Sequence, residues 1–338
     1  MIGSRRAYRR PYFFEIFVAA NVVFVYAIIL LRGPDVIALT NINVLIALVT
    51  LIAQCALGVM IRAAVEAARG RGRRFFRVIR SKGWWTDSLR LVVAGALVIG
   101  VYGIVKLMIP LYHPVLYDKQ LWDLEQRMFG GYAPVVVVLN LFSAPRVMSF
   151  FDSAYARIFF TSLFIGPAFF LSHPSRRIRL AFANGNAVLW IAGAWLYLLI
   201  PSLGPAYAFP ELWIPIRELM PVTNAFHASL MQNYQNVLRL RGGSEPQAIN
   251  FMFGIAAFPS LHVGFQTFVF VWMRRVWLSG QVLFGVFTLV IFIGSMVTGW
   301  HYLIDGLAGI ALAVACYVGA AKPARVGEWF RLWSVIRR

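Results

Sequence analysis

Acidic side chains are scarce in this chain: 13 Asp and Glu stand against 32 Lys and Arg, a formal net charge of +19 over 338 residues. With so few acids, no carboxylate cluster suited to a divalent cation is readable, and neither a metal nor a cofactor is expected. Cysteine is scarcer still. Cys55 and Cys316 are the two present, each inside an apolar run, so no disulfide framework and no thiolate metal site can be drawn, and both read as small core residues. Internal repeats and low-complexity tracts are absent. Charge of either sign is also in short supply, 13% of the chain against about 25% in soluble domains.

What fills the chain instead is apolar. Hydrophobic residues make up 60% and the mean hydropathy is +0.71. Runs long enough for a bilayer, roughly 17–25 residues, occur at Phe13–Leu31, Val44–Ile61, Leu89–Pro110, Ile158–Leu171, Ala181–Ile200, Ala256–Trp272, Val282–Val297 and Tyr302–Val318. The fourth is short, and its start is drawn back towards Tyr155. The apolar part of the first exceeds the roughly 7–15 residues of a signal peptide, so it reads as a retained span. The fold class is all-α: a polytopic integral membrane helix bundle with about eight transmembrane helices.

Charge then sets orientation. Arg62–Lys82, the most basic segment, is expected in the cytoplasm. Counting spans from it places "RRAYRR", Ser175–Arg179, Arg274–Arg275 and the basic tail on the same side, both termini included. The other loops, Arg32–Asn43, Leu111–Arg157 and Pro201–Gly254, are mixed in charge and lie on the periplasmic, extracellular or luminal side. Basic residues grouped between spans point to topology and anionic lipid, and nucleic acid is not an expected partner. In the outer loops, Asp118–Gly130 carries Leu121, Leu124 and Met128 at helical spacing and reads as an amphipathic helix on the outer surface. Ala133–Pro145 is apolar but too short to span. Pro201–Gly254 is either a cap over an outward site or a folded loop on the helix ends. The tail, with Trp329 and Trp333, reads as an interfacial helix.

Two stretches carry chemistry. In "AFPSLHVGF", Pro259 suits the first turn of a helix. The N–H groups of Ser260, Leu261 and His262 would then be unpaired, as in helix starts that bind phosphate. In "VTGWHYLIDGLAG", His301 and Asp305 are four apart and share a helix face. A carboxylate there fixes the imidazole tautomer and favours its charged form, leaving the other ring nitrogen as base or nucleophile. Alone, a histidine at a helix mouth is more often a cap or interfacial residue than a catalyst, and the His301–Asp305 pair is equally well a structural one at a helix end. Together on one side they are equipment for phosphoryl transfer, with His301 as nucleophile and His262 as proton donor.

These residues resemble the type 2 phosphatidic acid phosphatase superfamily, whose second motif is Pro-Ser-Gly-His and whose third is Ser-Arg, five residues, His, three residues, Asp. Here they read "PSLH" (Pro259–His262) and His301 with Asp305. The resemblance implies a six-helix core with His301 as nucleophile and His262 as general acid, so that residues 1–88 hold two extra spans and a basic loop. Residues 89–320 would form the core with outer loop 201–255, and 321–338 the tail. Ser295 stands where the third motif has arginine, and the first motif's lysine and Arg-Pro are not found. In this the chain is similar to bacterial relatives of fungal inositol phosphorylceramide synthase, which share "FPSLH" and "HY" followed by Asp. "YLLIPSLGPAYAF" (Tyr197–Phe209) falls at the first motif, where a turn at Gly204 would offer backbone N–H groups to phosphate. Replacement cations are sought among Lys106, Lys119, Arg217, Arg239 and Arg241. The reading is a transferase moving a phosphorylated head group, such as phosphoinositol, from a phospholipid or polyprenyl-phosphate to a lipid or small polyol. A lipid phosphatase using water and a non-enzymatic transporter or structural protein are the alternatives.

Overall fold

The computed structural model describes residues 11–32, 40–241, 249–250 and 253–320, the side chains of 32, 40–44 and 240–241 excepted. The "RRAYRR" segment, most of the loop after the first span, and the tail with its expected interfacial helix lie outside the described residues. No strand occurs among them. The helices are α1 (Phe13–Arg32), α2 (Thr40–Ala68), α3 (Gly72–Ile79), α4 (Lys82–Tyr112), α5 (Asp118–Met128), α6 (Pro134–Leu141), α7 (Pro145–Leu171), α8 (Arg176–Leu199), α9 (Pro205–Ala208), α10 (Pro221–Arg241), α11 (Leu261–Met273), α12 (Leu278–Val297) and α13 (Leu303–Ala320).

Seven of these, α1, α2, α4, α7, α8, α12 and α13, are long and apolar enough to cross a membrane. The protein is a multi-pass integral membrane protein. The eighth expected span needs correction. Helix α11 has 13 residues, about 20 Å at 1.5 Å per residue, and cannot cross a hydrocarbon layer of roughly 30 Å alone. The residues before it, expected as helix from Ala256, are irregular up to Ser260. Such backbone is tolerated in an apolar setting only where the protein itself satisfies its polar groups. Here Ser202 does so: its carbonyl accepts from Ala257 N–H at 2.9 Å and its Oγ from Phe258 N–H at 3.0 Å. Helix α7 departs the other way, beginning at Pro145 and absorbing residues read as loop.

The chain divides into two compact units. The first comprises Met1–Val101, Phe164–Ile191 and Cys316–Arg338. Its polar centre is Asp87, which accepts from Tyr12 Oη at 2.9 Å and from Arg176 Nε at 2.6 Å. Nearby Arg90 pairs with Glu15, and buried Arg179 donates to Ser88 Oγ and the Leu171 carbonyl. Arg176 and Arg179, read from sequence as topology signals, therefore also hold the helix starts together.

The second unit comprises Tyr102–Leu163 and Ala192–Ala315. Its outer segments fold around an apolar cluster of Val135, Leu139, Met148, Ala206, Trp213, Met220 and Met296. Trp213 Nε1 donates to the Val297 carbonyl at 3.0 Å, so loop 201–255 is a folded layer anchored on the end of α12. It contains α10, a polar helix of 21 residues that sequence reading left as loop. Asp152 starts that helix, its carboxylate accepting from Val222 and Thr223 N–H at 3.1 and 2.6 Å, the satisfaction that free helix-start donors require.

Candidate active site

All three catalytic candidates lie in the second unit. Helices α11 and α13 cross where Gly264 faces Gly309, so closely that a Cβ on Gly309 would stand 2.2 Å from the Ser260 carbonyl oxygen. Any larger residue at 309 would separate the two helix starts, and with them the two histidines. As built, His262 Nδ1 lies 3.0 Å from His301 Nε2, one nitrogen donating and the other accepting. Behind His301, its Nδ1 is 3.4 Å from Asp305 Oδ2, close but longer than a good hydrogen bond. Asp305 Oδ2 accepts instead from Tyr302 N–H at 2.9 Å. Aromatic rings wall the far side of His262: Phe159 meets it edge-on at 4.2 Å between centroids and Tyr155 at 5.6 Å.

Burial decides the charge of His301. Only 1% of the residue is exposed, and desolvation pushes its imidazole down to about 3, against a smaller pull upward from the Ala257 backbone and with a further push down from Lys106. The expectation that Asp305 keeps His301 charged is corrected: the cost of an ion in a dry site exceeds what an imperfectly bonded carboxylate returns. A neutral imidazole is the form with a lone pair to give.

The expected phosphate donors are differently employed. Pro259 is not in the first turn of α11. Ser260 is the N-cap, its Oγ accepting from Val263 N–H at 3.3 Å, and the helix begins at Leu261. The peptide bond before Pro259 is cis. Ser260 N–H donates to the Asp305 carbonyl at 2.8 Å, and Leu261 N–H turns to the Tyr197 hydroxyl, so neither is a free donor. The Leu261 side chain is buried against the bare face of Gly193. Gly204 does occupy a turn that requires glycine, with φ +101° and the Trp300 carbonyl 2.4 Å from where a Cβ would sit. Its N–H, however, donates to Asp118 Oδ1 at 2.9 Å.

Asp118 is the residue that sequence reading missed. It accepts from Leu203 N–H at 2.9 Å, Gly204 N–H at 2.9 Å and Tyr302 Oη at 3.0 Å, tying the 201–206 loop to the residue beside His301. One turn pair further along α5, Glu125 Oε1 accepts from Ile304 N–H at 2.7 Å and so caps α13. The buried face of α5 is thus Asp118, Leu121 and Glu125, while Leu124 and Met128 are exposed. The surface-lying helix expected from Leu121, Leu124 and Met128 is corrected: two carboxylates with backbone N–H partners outweigh two exposed apolar side chains. Three acids spaced through "DKQLWDLEQ" near an apolar run were the available signal, but they read equally well as a solvated face.

Burial raises Glu125 from 4.5 to about 7, Ile304 N–H opposing and the Asp305 charge adding to the rise. Because the folded state holds this proton more tightly, the stabilisation from protonated Glu125 is complete below about pH 4.5 and is lost as pH rises through about 7. Glu125→Gln keeps the acceptor oxygen and removes the charge. It is expected to raise the melting temperature at pH 8 and leave it unchanged at pH 4. An equal effect at both pH values would contradict this assignment.

The candidate cations separate clearly. Lys119 is exposed and paired with Asp123 at 2.8 Å. Arg217 and Arg239 are exposed; Arg217 acts on His227, whose imidazole burial chiefly lowers to about 4. No described contact brings either arginine to His262 or His301, and the Arg241 side chain lies outside the described residues. Lys106 on α4 is the cation that acts on both histidines. Ser295, at the third motif's arginine position, is buried and donates to the Phe292 carbonyl at 2.8 Å. Its own carbonyl accepts from Trp300 and His301 N–H, which sets the turn that presents His301.

Among the described residues no group of three His, Cys, Asp or Glu is arranged to hold a metal ion. No curated protein and no solved structure matches the chain. A family model described as PAP2 superfamily matches residues 119–319, more than half of the 338, and that span contains the paired histidines, Asp305 and the loops that hold them. The chain therefore belongs to the PAP2 superfamily of lipid phosphatase and phosphotransferase enzymes.

Proposed function

We propose that this enzyme moves a phosphorylated head group between lipids through a phosphohistidine on His301. The observation that carries the reading is the 3.0 Å approach of the two imidazoles with Asp305 behind the second. In-line transfer places phosphorus between the rings, so substrate must part a contact that already sets their facing edges. His301 Nε2 forms the N–P bond as the ester O–P bond breaks, and His262 gives its proton to the leaving oxygen. The anionic phosphate favours the protonated His262 that this needs. In the second half an acceptor hydroxyl returns a proton to His262, attacks phosphorus and releases His301. Donors are phospholipids or polyprenyl-phosphates, with phosphoinositol as the head group that resemblance to the inositol phosphorylceramide synthase branch suggests. Acceptors are lipids or small polyols.

The test is chemical. Purified protein in lipid nanodiscs, given a head-group-labelled phospholipid and a panel of lipid and polyol acceptors, is expected to form a new labelled phosphodiester. Free head-group phosphate as the sole labelled product would make the protein a hydrolase with water as acceptor, and inorganic phosphate released from phosphatidic acid alone would make it a lipid phosphatase. No reaction across the panel would leave a transporter or structural role.

The site is assigned to the outer side, with both termini in the cytoplasm, on the strength of the basic loop that includes α3 and with residues 253–273, the irregular segment and α11 together, taken as one crossing. Ser229 on α10 and Ser81 after α3 are both exposed. In a Cys55→Ala, Cys316→Ala background, Ser229→Cys is expected to react with an impermeant maleimide from outside only, and Ser81→Cys from inside only. The reverse pattern would invert the topology.

A further inference from the structure

Lys106 is a cation in a membrane-spanning helix, six residues before the end of α4, and no carboxylate pairs with it among the described residues. Ionisable groups in such segments are costly and mark functional sites. Its surroundings are built: Nζ stands 5.3 Å from the Tyr102 ring centroid and 5.7 Å from that of Tyr197. These rings attract the ammonium without neutralising it. The chain leading into His262 lies directly on its stem, since a Cβ at Gly254 would come within 2.6 Å of Lys106 Cβ. Tyr197 in turn receives the N–H of Leu261, the residue before His262. The residue is half-buried, and Nζ is not among the buried polar atoms lacking a partner.

The charges facing it are unequal. Asp305 lies behind His301, and its charge is felt by Glu125 and coupled to Asp118. One ammonium thus serves a site backed by three buried acids. A second negative charge on a ligand would enter a poorly hydrated site in which, among the described residues, one ammonium is there to offset it.

Resting on the phosphoryl-transfer reading above, we infer that Lys106 binds the phosphoryl oxygens of the substrate, and that its single positive charge selects a phosphodiester monoanion over a phosphomonoester dianion. The cation comes from α4, outside the sequence motifs that supply the histidines. Its charge acts on both His262 and His301, and it takes no part in proton transfer.

The experiment measures binding in full-length His301→Ala protein in nanodiscs, with and without a second substitution at Lys106. The probes are short-chain phosphatidylinositol, a diester, and short-chain phosphatidic acid, a monoester, by calorimetry. The diester is expected to bind more tightly. Lys106→Met should weaken it by roughly 10–100-fold, the loss of one charge-assisted contact, and Lys106→Arg should restore most of it. Unchanged diester affinity in Lys106→Met, or tighter binding of the monoester to the parent protein, overturns the inference. If Lys106→Met does not fold, the diester preference of the parent, which needs no change at 106, decides alone. Lipid turnover persisting in His301→Ala would instead refute the phosphohistidine reading, a result separable from either binding outcome.

Discussion

His301→Ala is expected to lower lipid turnover by at least about 10³-fold and to abolish any acid-labile phosphoenzyme. Nothing else in the site is placed to substitute. His262 Nδ1 faces His301, and its other side is walled by Phe159 and Tyr155. His262→Ala should behave differently. The nucleophile remains, so a substrate with a good leaving group, such as a nitrophenyl phosphodiester, should still phosphorylate His301 while natural lipids react slowly. Mass spectrometry of the acid-labile adduct, compared across the two variants, separates the roles. An adduct of normal yield in His301→Ala would refute the nucleophile assignment.

Asp118→Ala is expected to have the largest effect on stability, about 3–5 kcal/mol, and to remove activity as well. The carboxylate is 5% exposed and accepts three hydrogen bonds, from Leu203, Gly204 and Tyr302. Alanine leaves all three donors buried without a partner. The Gly204 turn then loses what holds it beneath Trp300, and Tyr302 loses its tie next to His301. Asp118→Asn keeps an acceptor but turns an amide N–H₂ towards donors, and should recover only part of the loss. Thermal unfolding in nanodiscs and the lipid transfer assay check both. A stable, fully active Asp118→Ala protein would show that the loop is held by other means.

Several features could be read along the chain because their physics is local. A run such as Leu89–Pro110 is apolar over its whole length, and lipid is the solvent that accepts it. Histidine and aspartate four residues apart share a helix face wherever that helix lies, and Pro-Ser-Leu-His announces a helix start. Local pattern failed where partners were distant. Pro259 and Ser260 have equal claims on a helix start until the Asp305 carbonyl, 45 positions away in the numbering, takes the Ser260 N–H. The amide of Gly204 looks free for phosphate until Asp118, 86 residues earlier, fills it.

Composition and periodicity by themselves determined that this is a multi-pass helical membrane protein with two histidine motifs, since transfer into lipid and helical spacing depend on neighbours in sequence. Only the tertiary structure decided that the two imidazoles touch, that burial opposes the charge on His301, that α5 turns its carboxylates inward, and that the charge of Lys106 acts on both histidines. Each of those depends on burial and on contacts between residues far apart in the chain, and a buried charge or donor is governed by the partner that folding brings to it.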